Sequence, residues 1–351
     1  MVTAIVLAVL LGFAGLVIMA QFVAHMGFNH NFKTASAREV GPKLEECLLE
    51  DNDSQNKIAV ITVDGIISGH DYDESGNNLV DVIQAQLDRA SDDKHVKAVI
   101  LKVDSPGGEV LASDEIYNAI RDFETDKPGE NGLPPRKGKP VICSMGSLAA
   151  SGGYYISSGC RWIVANELTI TGSIGVIMHG WNYRGLMDKV GIAPMTFKSG
   201  KFKDMLSGER EPSEIPAEER AMVQGLINET YGKFTNVVAE GRGDAHALNK
   251  KDGAALADNW TDFADGRVVS GTQALDLGLV DELGDFNDTV DRALKITRLD
   301  SANLMEYRER YDLSNFLSMF GQSGQAHDIK LDLGVEAPKL QAGLMYFLYQ
   351  P

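Results

Sequence analysis

A strand-length apolar run, Val96–Val103 (V-K-A-V-I-L-K-V), breaks into Asp104–Gly108 (D-S-P-G-G), and a helical stretch, Val110–Phe123, follows. A strand, a tight glycine turn and a helix form the front of a βαβ unit. The same alternation recurs along the chain. Lys57–Ser68 reads as a buried strand with a turn at Asp64-Gly65, and Asn77–Ala90 carries Leu79, Val80, Val82, Ile83 and Leu87 at helical spacing. Pro140–Met145 reads as a strand, Ser151–Gly159 as a helix, Trp162–Ala165 as a strand and Gly172–Met178 as a short apolar run. Trp181–Val190 is helical, and Ala193–Lys198 is extended and leads into Ser199–Asp204 (S-G-K-F-K-D). Glu218–Glu240 shows one stripe of Val223, Leu226, Ile227, Tyr231, Phe234, Val237 and Val238, which predicts a core-facing helix ended by Gly241. Phe286–Ile296 is a further helix. Strands alternating with helices predict an α/β domain with a mostly parallel sheet.

The chain begins differently. Residues 1–32 contain no Lys, Arg, Asp or Glu, and Val2–Val23 is apolar and long enough to cross a bilayer. A cleavable signal peptide would carry a basic start and a shorter apolar core, so the reading is an uncleaved anchor over 1–28. Polar, acidic residues 29–56 read as a linker, 57–300 as the main α/β domain and 301–351 as a C-terminal extension. Lys33, Arg38 and Lys43 after the span would, by charge bias alone, place the downstream side in the cytoplasm. The net charge of −17 over 351 residues excludes a nucleic-acid partner, which demands a basic surface. Cys47, Cys143 and Cys160 have no metal-ligand spacing, and the latter two sit in apolar runs as small core residues.

Candidate chemistry centres on Val141–Ile177, where A-A-S-G-G at residues 149–153 joins a strand to a helix. Taken alone, Ser151 is better explained as a helix N-cap, with the glycines allowing close packing. A phosphate loop fits neither D-S-P-G-G nor A-S-G-G. A Ser-His-Asp hydrolase lacks the G-x-S-x-G elbow, and of the histidines only His70 and His179 stand in suitable contexts. A Ser-Lys hydrolase needs a lysine that can be kept neutral; S-G-K-F-K-D supplies Lys201 and Lys203, on one face if the strand continues.

Five motifs then occur in order: D-S-P-G-G, A-A-S-G-G-Y-Y-I, I-T-G-S-I-G-V-I, K-S-G-K-F-K-D and A-D-G-R-V-V-S-G-T-Q-A-L-D-L-G-L-V-D-E-L-G. Together they resemble the signal peptide peptidase A family of membrane-anchored serine–lysine peptidases, in the short single-unit form, from about Lys57 to about Leu294. The resemblance implies a Clp/crotonase-like fold and sites assembled in ring-shaped homo-oligomers. It implies Ser151 as nucleophile, Lys203 as general base and Ser173 as the group orienting the lysine. The N–H groups of Gly108 and Gly152 would be the oxyanion donors. It implies no metal or cofactor, a catalytic domain outside the cytoplasm, and apolar peptides such as remnant signal peptides as substrates. The alternatives are a non-catalytic membrane-anchored scaffold of the same fold, a general membrane-protein quality-control protease, or an acyl-CoA-processing crotonase, against which a Ser-Lys pair argues. The apolar tail Gly343–Gln350 is itself an extended peptide of the expected substrate kind and could occupy such a groove.

Overall fold

The computed structural model describes residues 41–73, 76–129, 135–309 and 345–348. In chain order the elements are β1 (Leu44–Glu50), β2 (Lys57–Ile67), α1 (Leu79–Asp92), β3 (Val96–Glu109), α2 (Val110–Glu124) and β4 (Val141–Ala150). There follow α3 (Gly152–Ser158), β5 (Trp162–Ala165), β6 (Ile170–Gly172), β7 (Ile177–Met178), α4 (Arg184–Val190) and α5 (Ala217–Leu248). The last are β8 (Val268–Ser270), α6 (Gly271–Asp276), β9 (Glu282–Leu283), α7 (Phe286–Thr297), β10 (Asn303–Glu309) and β11 (Met345–Leu348). The apolar segment Val2–Val23 lies outside the described residues, and no helix among those described is long and apolar enough to cross a membrane.

The strands form one sheet whose main path is β1-β10-β2-β3-β4-β5-β9. All of its neighbours pair parallel except β1 with β10. The α/β class with a mostly parallel sheet is therefore observed. Alternation along β3 explains why the sheet is buried on both faces. Val99, Leu101 and Val103 point into one core with Ile83 and Leu87 of α1 and Ile116 and Ile120 of α2. Ala98 and Ile100 point into a second core with Ile142, Trp162 and Ala293 of α7. Each of the valine, leucine and isoleucine side chains among them, removed from water, contributes about 1.5–3 kcal/mol. Helix starts are fixed locally: the Asn78 side chain accepts from Asp81 N, and Asp285 with Asp288 forms a capping box.

Four expectations change. Leu44–Glu50 lies within the expected linker but pairs antiparallel with β10 as an edge strand; its glutamates disguise a strand while keeping that edge soluble. The segment after residue 300 returns strands β10 and β11 to the sheet. Gly241 does not end its helix, because α5 runs on to Leu248. A Cβ there would lie 2.2 Å from Ser158 O, so this glycine serves a helix crossing. Along the same helix only the second half of the stripe is core: Phe234, Val237 and Val238 are buried, whereas Leu226 is exposed.

Candidate active site

Strand β4 delivers Ser151 through a bulge. Val103 pairs with Met145 and Ser105 with Ala149, so β4 takes a four-residue step where β3 takes two. Asp104 Oδ1 accepts from Leu148 N at 3.0 Å and holds the bulge against β3. Beyond it, Leu148–Ala150 pairs with β6, and Ser151 N donates to Gly172 O at 2.8 Å. Ser151 occupies φ 56°, ψ −118°, a backbone region that favours glycine. A non-glycine residue held there costs of order 1–3 kcal/mol. It stands at the N-cap position of α3, yet its side chain makes no capping bond. The capping explanation therefore fails.

Ser173 follows directly from the β6 pairing. It too has a positive φ, 51°, and its N–H donates to Arg267 O at 2.8 Å. Ser151 and Ser173 line one cavity of about 550 Å³, together with Ile177, Tyr231, Gly266 and Leu348. Among the described residues neither hydroxyl is engaged in a hydrogen bond within the protein. Tyr231, read from sequence as core, is a cavity wall whose hydroxyl donates to Ala264 O at 2.6 Å.

The glycine turn abuts the start of α3. A Cβ on Gly152 would lie 2.6 Å from Ser113 Oγ and 3.0 Å from Gly108 N. A Cβ on Gly107, at φ +96°, would lie 2.5 Å from Gly152 N and 2.0 Å from Phe347 O. The absent side chains thus let the Gly107–Gly108 backbone, the Gly152 amide and an extended segment meet at one point beside Ser151.

That segment is β11. It pairs antiparallel with β3, placing Tyr346, Phe347 and Leu348 opposite Glu109, Gly108 and Gly107, and antiparallel with β7 on its other side. The Phe347 ring stacks on Tyr155 at 4.9 Å and tilts against Phe234 at 4.6 Å. Leu348 reaches the Ser151 cavity. The tail strand thus lies along the edges that flank the two serines.

Lys203 is not brought to this point. Residues 201–206 form turns rather than a continued strand, because Ala193–Lys198 finds no strand partner. Lys203 is exposed, does not line the Ser151 cavity, and its amine has no ion pair among the described residues. Lys201 pairs with Glu218, and Lys198 with Asp204 at 2.8 Å. His70 contacts Glu109 at 2.9 Å, and His179 lines a separate cavity of about 770 Å³ with Trp181. Neither histidine lines the cavity at Ser151.

One buried carboxyl and one buried ion pair brace the fold. Glu124 Oε1 accepts from Val141 N at 2.7 Å and Arg161 N at 3.1 Å, and burial raises its carboxyl to about 7. Arg242 and Asp281 pair with no exposure of either side chain. Asp281 also accepts from Ile163 N at 2.8 Å and Ala254 N at 3.2 Å, tying α5 to β5.

The peptidase family S49 domain matches residues 135–300. The Enterococcus faecium protein named signal peptide peptidase SppA is 37% identical over 284 residues, 79% of this chain and 73% of that one. A Synechocystis protease is 39% identical over 247 residues, 70% of this chain and 76% of that one. Protease 4 of Haemophilus influenzae is 36% identical over 245 residues, which are 70% of this chain and 35% of the longer relative. With motifs, parallel α/β sheet and sequence relatives in agreement, the chain belongs to the signal peptide peptidase A family of S49 serine peptidases.

Proposed function

We propose that this chain is a membrane-bound endopeptidase that cleaves extended apolar peptides with Ser151 as nucleophile and Lys203 as general base. The observation that carries the reading is Ser151 itself: a strained backbone, a hydroxyl with no hydrogen bond among the described residues and a cavity shared with Ser173. Strain persists where the surrounding structure imposes it, and it concentrates at reacting groups.

In this reading Lys203 comes from a neighbouring copy of the chain. The segment bearing it leaves the fold with unpaired apolar side chains, Trp181 84%, Met195 81% and Phe197 90% exposed. Such a surface fits a protein partner, and a second copy would bring its own Lys203. An amine is a base only when neutral, and removal from water favours the neutral form. Closure by the second copy and by bound peptide supplies that removal. Ser173 Oγ orients the amine. Ser151 Oγ gives its proton to Lys203 Nζ and attacks the scissile carbonyl, and the Gly108 and Gly152 N–H groups stabilise the oxyanion. The lysine then protonates the leaving amine, and water releases the acyl group by the reverse relay.

The path of β11 supports a substrate bound as an added strand between β3 and β7, with aromatic walls for apolar side chains. Remnant signal peptides have that character. Residues 1–28 would anchor the enzyme, with the Clp/crotonase-like catalytic domain outside the cytoplasm. A fluorophosphonate probe tests the core of the proposal: it labels wild type and not Ser151→Ala, and the same substitution abolishes cleavage of an apolar peptide. Labelling that survives Ser151→Ala would overturn it. A reporter fused at Pro351 and active only in the cytoplasm would reverse the topology.

A further inference from the structure

Glu109 follows the glycine turn directly, at the N-cap position of α2, but its carboxylate does not cap that helix. It turns away and accepts from Ser68 Oγ at 2.8 Å and Gly69 N at 3.2 Å, and it contacts His70 Nδ1 at 2.9 Å. The side chain is only 10% exposed. A carboxylate kept so far from water is costly unless its donors are fixed, and glutamate is a poor residue for an N-cap. Its position is explained by what it joins.

On one side, the Ser68–His70 turn continues from Ile67. The Ile67 peptide is the floor under Gly108, since a Cβ on Gly108 would lie 1.9 Å from Ile67 O. On the other side, Glu109 O accepts from Ser113 Oγ at 2.8 Å, and that hydroxyl is the group a Gly152 Cβ would strike. The Gly108 amide therefore rests, through Ile67 and the Ser68–His70 turn, on atoms that the Glu109 carboxylate holds, whereas Ser113 and Gly152 are reached through the Glu109 backbone carbonyl, which every residue at this position would keep.

We propose that Glu109 is a positioning residue for the oxyanion site, its carboxylate fixing the Gly108 N–H group relative to Ser151. The inference rests on the reading of Ser151 as nucleophile. Donors already aimed at the developing charge lower the barrier, whereas ground-state peptide binding depends on strand pairing. Misplacement of such donors by about an ångström costs on the order of 100-fold.

The test compares wild type, Glu109→Ala, the isosteric Glu109→Gln and Ser68→Ala in the full-length protein. An apolar peptide substrate gives kcat and KM. A peptide aldehyde, which forms a tetrahedral adduct with the serine, and the matching unreactive peptide amide give affinities. Glu109→Ala should lower kcat and aldehyde affinity together by about 10- to 100-fold, leaving KM and amide affinity within about twofold. Glu109→Gln and Ser68→Ala should fall between it and wild type. Variants with unchanged kcat and aldehyde affinity, or with losses shared equally by the amide, would overturn the proposal; if Glu109→Ala does not fold, the other two variants decide. A wild type whose cleavage does not depend on Ser151 would instead overturn the nucleophile assignment.

Discussion

Phe347 lies opposite Gly108 in antiparallel register, and its ring stacks on Tyr155, the fourth residue after Ser151. This strand of the chain thus takes the path proposed above for an extended peptide, beside the cavity that Ser151 and Ser173 line. Removing a buried phenylalanine from a packed site costs about 3–5 kcal/mol. Here that loss falls on docking of a terminal strand. Phe347→Ala, or truncation after Leu340, should raise kcat/KM for an added apolar peptide several-fold and leave the melting transition of the remaining domain in place. Unchanged peptide kinetics would show that β11 does not compete for the groove.

The separation of Lys203 from Ser151 leads to a complementation experiment. Ser151→Ala and Lys203→Ala should each be inactive, whereas Lys201→Ala should retain activity. Dissociating the two inactive variants, mixing them and reassembling them should restore part of the wild-type rate, because some sites would receive an intact serine and an intact lysine from different copies. Failure to recover activity from verified mixed oligomers would place both residues of a working site on one chain.

Gly107 admits no side chain without displacing the Phe347 carbonyl or the Gly152 amide. Gly107→Ala should reduce peptide cleavage by about 100-fold or more, the scale of a lost oxyanion donor. Circular dichroism should still report a folded α/β domain. A near-normal rate would show that the turn can move without consequence.

Glu124 predicts a pH dependence of stability. Its folded carboxyl is raised to about 7 by burial, above the ordinary 4.5. The folded chain therefore holds this proton more tightly than the unfolded one. The resulting contribution is fully present below about pH 4.5 and is lost as pH rises through about 7. Glu124→Gln keeps an acceptor for Val141 N without the charge. It should be more stable than wild type at pH 8 by on the order of 2–3 kcal/mol and nearly equal near pH 4. Denaturant unfolding at the two values checks this, and a constant difference between them would exclude Glu124 as the source.

Asp281→Ala leaves the wholly buried Arg242 guanidinium without its partner and removes an acceptor from Ile163 and Ala254. Breaking one side of such a pair costs about 3–5 kcal/mol. Chemical denaturation should show a loss of that size, and a loss below 1 kcal/mol would mean that water reaches the arginine.

Much of the sheet was legible because β2, β3 and β4 bury residues on both faces and so appear as nearly continuous apolar runs. Short turns of glycine separate them from helices with clear spacing. Ser151, Ser173 and the glycines were legible as an ordered set, since the motifs around them name small residues that the backbone requires. The β4 bulge was not: it depends on Asp104 reaching Leu148, a contact between segments more than forty residues apart. Gly241 misled because a glycine that ends a helix and one that admits a neighbouring carbonyl are the same letter. Tyr231 looked like core since a cavity wall and a core face share one helical period. The placement of Lys203 away from the Ser151 cavity carries no local pattern at all.

Ser151 and Ser173 both hold backbone angles that glycine would accept more readily. The consequence concerns the evolution of robustness. Serine-to-glycine exchange at either position would relieve backbone strain while deleting a hydroxyl from the cavity. Under the proposed roles of these serines, selection for heat resistance alone would therefore drift toward a sturdier and silent protein. If both serines serve the proposed chemistry, keeping them requires continued selection on it, and the dense bonding of β4, β6 and the glycine turn is the reserve of stability that makes the strain tolerable.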